Sequence, residues 1–394
     1  MVNLLFGIHY LYKDREILYF CRKIIDKMMT RNPLCLILAL ALFSACQRNT
    51  VETRPTIQYV RDILSDKATT EYQILSANAA PATTGDIVVI GSSSQCAALS
   101  TQLSFCDMFD NFDGTAGSDG LADFAGEYIY SIIDEAGGAY SSYLSEGRIE
   151  QLRENTVRSV ICAVDSTYSL TAYDIEGKGR KSPAKVIVLS DVHQFVYGKF
   201  DVDSLFLSTG CGINVVTPVE AMVRHAVPAV SDGKLNIGVI ASPEVTDSTI
   251  YNAALSEILG GREVSCYASH VAATDSTDAV LSFLDSYIAS GASEPLDAIL
   301  VDDYDLAPSF VREGIRRASS LMSSESLVYG KYLSENVRFA CPAEAVSAAC
   351  YRILRDQNLF THMIALPQSI TYKTIRHPED EGMLLTPISF YVQD

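Results

Sequence analysis

The stretch Lys185-Val186-Ile187-Val188-Leu189-Ser190-Asp191-Val192-His193 decides how this chain is read. Its first half is an apolar run rich in β-branched residues, without polar alternation, and it stops at a serine, an aspartate and a histidine. A run of that kind is a strand buried on both faces, and sheets made of such strands are parallel. Three more runs have the same form, Ile87 to Ile90, Leu235 to Ile240 and Ala298 to Val301, each followed by small or acidic residues. Helical patterns with apolar residues three and four apart lie between them, over 152–164, 248–259 and 279–289. Weaker runs at Ile213 to Val216 and Met363 to Leu366 read as further strands. The alternation predicts an α/β fold with mostly parallel sheets. The roughly 310 residues from Asp86 onward exceed one ordinary core, which predicts two similar Rossmann-like lobes, 86–232 and 233–394, with a ligand cleft between them.

Ligands of such sheets sit beyond the carboxyl ends of the strands. Four loops therefore become candidates. Ser92, Ser93 and Ser94 precede a helical pattern, so they hold a carboxylate or phosphate, or one of them only caps the helix. Ser190, Asp191 and His193 follow the second strand. Asp191 and His193 form an acid/base pair if both face the cleft; otherwise they are plain loop residues. Ser242 follows the third strand, and Thr217 stands at the next helix start. Asp302, Asp303 and Asp305 follow the fourth and suit a divalent cation or a substrate amine, or are simply solvated. Asp107 to Asp123 is acidic and glycine-rich but has no glutamate in the closing position of a calcium loop; it is expected as an ordered insertion over the cleft.

The amino-terminal part has a different character. Leu34 to Phe43 (LCLILALALF) is preceded by Arg31 and followed by Ser44, Ala45 and Cys46. Ten residues span about 15 Å as a helix, half of a bilayer core of about 30 Å, which suits a signal peptide and not a transmembrane helix. Leu42 to Cys46 resembles the bacterial lipobox, with Phe43 less usual at its place. The expectation is a signal region over 1–45, with the true start at Met28 or Met29, and a lipidated (palmitate-bearing) tether over 46–85. The protein would then be anchored at Cys46 in a bacterial cell envelope, facing the periplasm or the exterior. The formal charge is −18, and −21 without residues 1–45, which argues against nucleic acid or anionic lipid on a basic face. Ten cysteines show no C-x-x-C pair and no zinc spacing, so neither metal nor cofactor is expected. Seven lie beyond Cys46 and leave room for one disulfide of unassigned pairing. Cys211, between two glycines, has no neighbouring base and reads as a structural thiol.

The order of these parts resembles the aspartate/glutamate racemase superfamily over roughly 86–365. Leu152 to Val157 with Lys185 to Asp191 looks like that family's helix and the strand ending in its first catalytic cysteine. Ile213 to Glu220 resembles its next strand and helix start. Ile237 to Ser242 with Ser248-Thr-Ile-Tyr251 resembles the opening of its second lobe, and Leu296 to Tyr304 lies where it has a strand running into its second cysteine. The resemblance implies an amino acid held between two lobes and two thiols exchanging its α-proton. Here Ser190 and Asp302 stand at the cysteine positions, which argues against two-cysteine racemisation and tilts away from an enzyme. Three functions remain open. One is a relative that binds a small polar ligand, an amino acid or carboxylate-like molecule. Another is a type I periplasmic solute-binding lipoprotein serving a transporter or sensor, whose chain would cross between lobes three times. The last is a hydrolase or isomerase using Ser190, Asp191, His193 and Asp302, which requires His193 to be bonded to a carboxylate.

Overall fold

The computed structural model describes residues 54–388, apart from 135–137, 172–178, 228–233, 247, 261, 272–278, 305, 307–312, 315, 318–328, 362, 364 and 378–379. The signal region, Cys46 and Asp305 lie outside the described residues. The elements run α1 (Gln58–Ser65), α2 (Thr70–Ala77), β1 (Asp86–Gly91), α3 (Ser93–Phe105), β2 (Tyr128–Ile133), α4 (Tyr140–Ser145), α5 (Ile149–Val164), β3 (Thr167–Tyr168), β4 (Gly179–Arg180) and β5 (Ala184–Leu189). A π-helical turn (Gln194–Gly198), α6 (Lys199–Thr209), β6 (Asn214–Val216) and α7 (Pro218–Ala226) follow. Then come β7 (Leu235–Ala241), α8 (Ser248–Leu259), β8 (Val264–Ser269), α9 (Ala279–Ala289), β9 (Leu296–Asp302), β10 (Leu333–Ala340), α10 (Pro342–Asp356), β11 (Gln368–His377) and β12 (Asp380–Pro387).

The fold is α/β with mostly parallel sheets. A six-stranded sheet has the order β12-β11-β2-β1-β5-β6, and a four-stranded sheet the order β10-β9-β7-β8. Every pair in them is parallel except β11 with β12. All residues of β1, β5 and β7 are buried, as expected for strands covered on both faces. The lobes share a core. One cluster runs from Val89 and Val188 in the first sheet, through Met222 and Val223 of α7, Tyr251 and Leu255 of α8, and Tyr351 and Leu354 of α10, to Val239 and Leu300 in the second.

Three sequence expectations need correcting. Folding begins before Asp86: Ile57, Val60, Ile63 and Leu75 are buried in the core cluster on the other face of the first sheet. Their spacing of three residues in α1 gives the helix an apolar stripe, so the polar composition of 46–85 does not make all of it a free tether. Residues 342–387 do not belong to the second lobe, because α10 packs on α3 and α7 and strand β11 pairs with β2. The second sheet is thus inserted into the first lobe, and sheet membership changes twice along the chain. Met363 and Leu366 are 60% and 81% exposed and lie outside any strand; the strand starts at Gln368. No helix among the described residues is long and apolar enough to cross a membrane.

The acidic loop 107–123 packs on α10, where Phe109 stacks on Tyr351 at 4.4 Å and the Tyr351 hydroxyl donates to the Asp110 carbonyl. Its carboxylates are spent on the loop's own backbone. Asp123 accepts from the N–H groups of Met108 and Phe109, Asp107 from those of Asp119 and Gly120, and Asp110 from those of Phe112 and Asp113. The seven cysteines from Cys96 to Cys350 are free thiols, and burial pushes that of Cys211 up.

Candidate functional site

The site lies at the carboxyl ends of β1, β2 and β5 in one sheet and of β7 and β9 in the other. It is built around Asp191, which is buried and accepts three hydrogen bonds. The Gln95 amide donates to Oδ2 at 2.8 Å, and the His193 backbone N–H donates to Oδ1 at 2.8 Å. His193 Nδ1 lies 2.7 Å from the same Oδ1. Burial alone would push the Asp191 carboxyl up, but the bond and charge of His193 and the Gln95 amide outweigh it and hold the group below the usual carboxylate range. An ionised Asp191 only accepts, so Nδ1 of His193 carries a proton, and in the neutral ring Nε2 is the basic nitrogen.

Gln95 has its orientation fixed by its other partners. Its Oε1 accepts from the Ser92 backbone N–H at 3.1 Å and from the Ser190 hydroxyl at 3.0 Å, which leaves Nε2 facing Asp191. The Ser92 hydroxyl in turn accepts from the Gln95 N–H, completing a capping box at the start of α3. Ser190 also donates to the Ile90 carbonyl at 2.9 Å and is 1% exposed. Its hydroxyl proton is engaged with two acceptors and none of its bonds reaches His193, so Ser190, a candidate catalytic residue from the sequence, is a clamp between β5 and β1. Gly91 makes the clamp possible, because a Cβ there would stand 1.7 Å from Ser190 Oγ.

Asp302 reaches the site from the central strand of the second sheet. Burial, and after it the charge of Asp191, push its carboxyl up to about 7, against the bond it accepts from the Tyr251 hydroxyl at 2.9 Å. Ser242 holds the Asp302 carbonyl through its backbone N–H at 3.1 Å. Asp303 is 5% exposed and lies 4.0 Å from Nδ1 of the half-buried His270. Tyr304 bridges the lobes, its hydroxyl donating to the Ser190 carbonyl at 2.9 Å.

Thus Asp191 and His193 are bonded, Asp302 lies within reach of their charges, and Asp303 beside it faces His270, whereas others do not join them. Ser92 is a helix cap, Ser93 and Ser94 are exposed on the first turn of α3, and Thr217 caps α7 and donates to Glu220 at 2.8 Å. Sequence reasoning gave no role to Gln95, Tyr251, Tyr304 or His270, nor to Gln194, whose Oε1 accepts from the Asp191 N–H. Only Gln95 carried a signal, in the Ser92-x-x-Gln95 spacing of a capping box. Among the described residues no group of three metal-ligating side chains is placed to hold an ion.

No family model matches this chain, and no curated protein does. Among solved structures the chain is similar to a glutamate racemase isoform of Bacillus anthracis (15% identity, TM-score 0.46). It is also similar to the glutamate racemase of Francisella tularensis in complex with D-glutamate (14%, 0.46). Each match covers 75% of this chain and 90% of the other. The enzyme of Thermus thermophilus in complex with β-chloro-D-alanine matches at 12% and 0.42, over 76% of this chain and 90% of that one. Likeness at this level carries nothing about chemistry, and the site has to be judged on its own residues.

Proposed function

We propose that the chain binds a small amine-bearing molecule, an amino acid or close analogue, between its two lobes and moves a proton on it. His193, oriented by Asp191, serves as base, and Asp302 as the facing acid. One observation supports this: carboxylates at the ends of β5 in one sheet and β9 in the other lie near enough for charge to act between them, one kept ionised by its partners and the other pushed up by burial and by the first. Groups whose surroundings push them apart in this way are suited to opposite proton-transfer roles near pH 7. The carboxylates suit the ligand's amine.

The test is incubation with separate D- and L-amino acids and simple amines in D2O, reading loss of the proton next to nitrogen by NMR, with binding followed separately by thermal shift. His193→Gln and Asp302→Asn are each expected to slow exchange by about 100-fold or more while the fold persists. Binding without exchange would leave a binding protein and remove the catalytic part. The solute-binding alternative is disfavoured by two changes of sheet where that class has three crossings, and by a core continuous across both lobes. Lipid anchoring at Cys46 remains a proposal from sequence. It predicts that radiolabelled palmitate enters the protein when it is expressed in bacteria, and that Cys46→Ser abolishes the label.

A further inference from the structure

The peptide unit joining Ser190 to Asp191 is held at both of its polar ends, by different lobes. Its N–H donates to Gln194 Oε1 at 3.3 Å, and Gln194, fully buried in the π-helical turn, is fixed by donating from Nε2 to the Tyr140 hydroxyl at 3.0 Å. That end belongs to the first lobe. Its carbonyl accepts from Tyr304, two residues past β9, whose ring packs against the shared core. That end depends on the second lobe. Ser190 itself is tied to the Ile90 carbonyl through both its N–H and its hydroxyl, so the freedom left at this junction is rotation of the Ser190–Asp191 peptide plane. Such a rotation would carry with it the carboxylate that holds His193.

We propose that Tyr304 is a positioning residue for the Asp191–His193 pair: its hydroxyl, carried by the second lobe, fixes the Ser190 carbonyl and with it the peptide plane from which the Asp191 carboxylate is presented to His193. The inference rests on His193 as the base, but its test needs no substrate. In protein labelled with 15N-histidine, His193→Gln identifies the His193 signals. The wild type is expected to hold the tautomer with Nδ1 protonated. Tyr304→Phe, which keeps the ring and removes the hydroxyl, should mix the tautomers and lower the His193 titration midpoint by about half a pH unit, a threefold change. Tyr267→Phe, which loses a hydroxyl bonded to Ser286, should change neither. An unchanged tautomer and midpoint in Tyr304→Phe overturn the proposal.

Should that variant fail to fold, wild-type hydrogen exchange decides. The Asp191 amide must open together with the amide of Leu306, which donates to the Asp303 carbonyl in the loop carrying Tyr304. Independent opening of the two overturns the proposal. A His193 response to Tyr304→Phe without any amino-acid or amine exchange keeps the positioning role and removes the chemistry proposed above; exchange without that response does the reverse.

Discussion

Replacing Asp302 by Asn should make the protein more stable while removing the acid from its site. Asp302 is 8% exposed, and burial together with the Asp191 charge holds it at about 7, against an ordinary value near 3.8. Between those two values the folded protein binds a proton that the unfolded chain does not, so stability falls as pH rises from about 4 to about 7 and is flat above that. A carboxyl raised this far costs the folded state about 4 kcal/mol once it is ionised. Asparagine carries no charge and keeps an oxygen that can accept from Tyr251, so the variant should gain about 2 kcal/mol near pH 5 and about 4 kcal/mol near pH 8. Urea titrations of both proteins across that range read the difference directly. A variant no more stable at pH 8, or a gain that does not change with pH, would refute the assignment of a buried, repelled carboxylate. A gain that grows with pH shows that the ionised Asp302 is held at the expense of the fold.

Asp86 should behave alike, because burial raises it to about 7, one of its oxygens has no hydrogen-bond partner, and Lys181 offsets it only in part. Asp86→Asn is expected to raise the urea midpoint above neutral pH and to have less effect near pH 4. Arg153 and Asp201 form a buried ion pair at 2.7 Å, so Arg153→Ala should cost about 3–5 kcal/mol by leaving a charge unpaired, with a smaller loss when Asp201 is replaced as well. Gly91→Ala should destabilise by about 1–3 kcal/mol through its clash with Ser190, and Ser190→Ala should recover part of that in a double-mutant cycle.

The strands were legible because burial on both faces leaves an uninterrupted β-branched run, and Val186 to Leu189 has no other easy explanation. The carboxyl-end rule then put Asp191, His193 and Asp302 at strand ends. It says nothing of the direction of the Ser190 hydroxyl, which is set by the missing Cβ of Gly91 on a neighbouring strand, and adjacency in sequence does not encode that. Tyr304 and Ser190 are 114 residues apart, and no local pattern announces their bond. The return of the chain to the first sheet was hidden for the same reason: Gln368 pairs with Tyr128, a partner that periodicity within either segment cannot name. Met363 and Leu366 mislead because apolar composition does not by itself guarantee burial.

That return has a consequence for biosynthesis. The second sheet is complete once residue 340 has left the ribosome, but the first still lacks β11, which covers the edge of β2, until residue 377 has followed. For that interval the earliest strands made are the last to be closed, with the edge of β2 awaiting β11. Truncation ahead of Gln368 would therefore damage the lobe encoded first, although every residue of β1, β2 and β5 had been made.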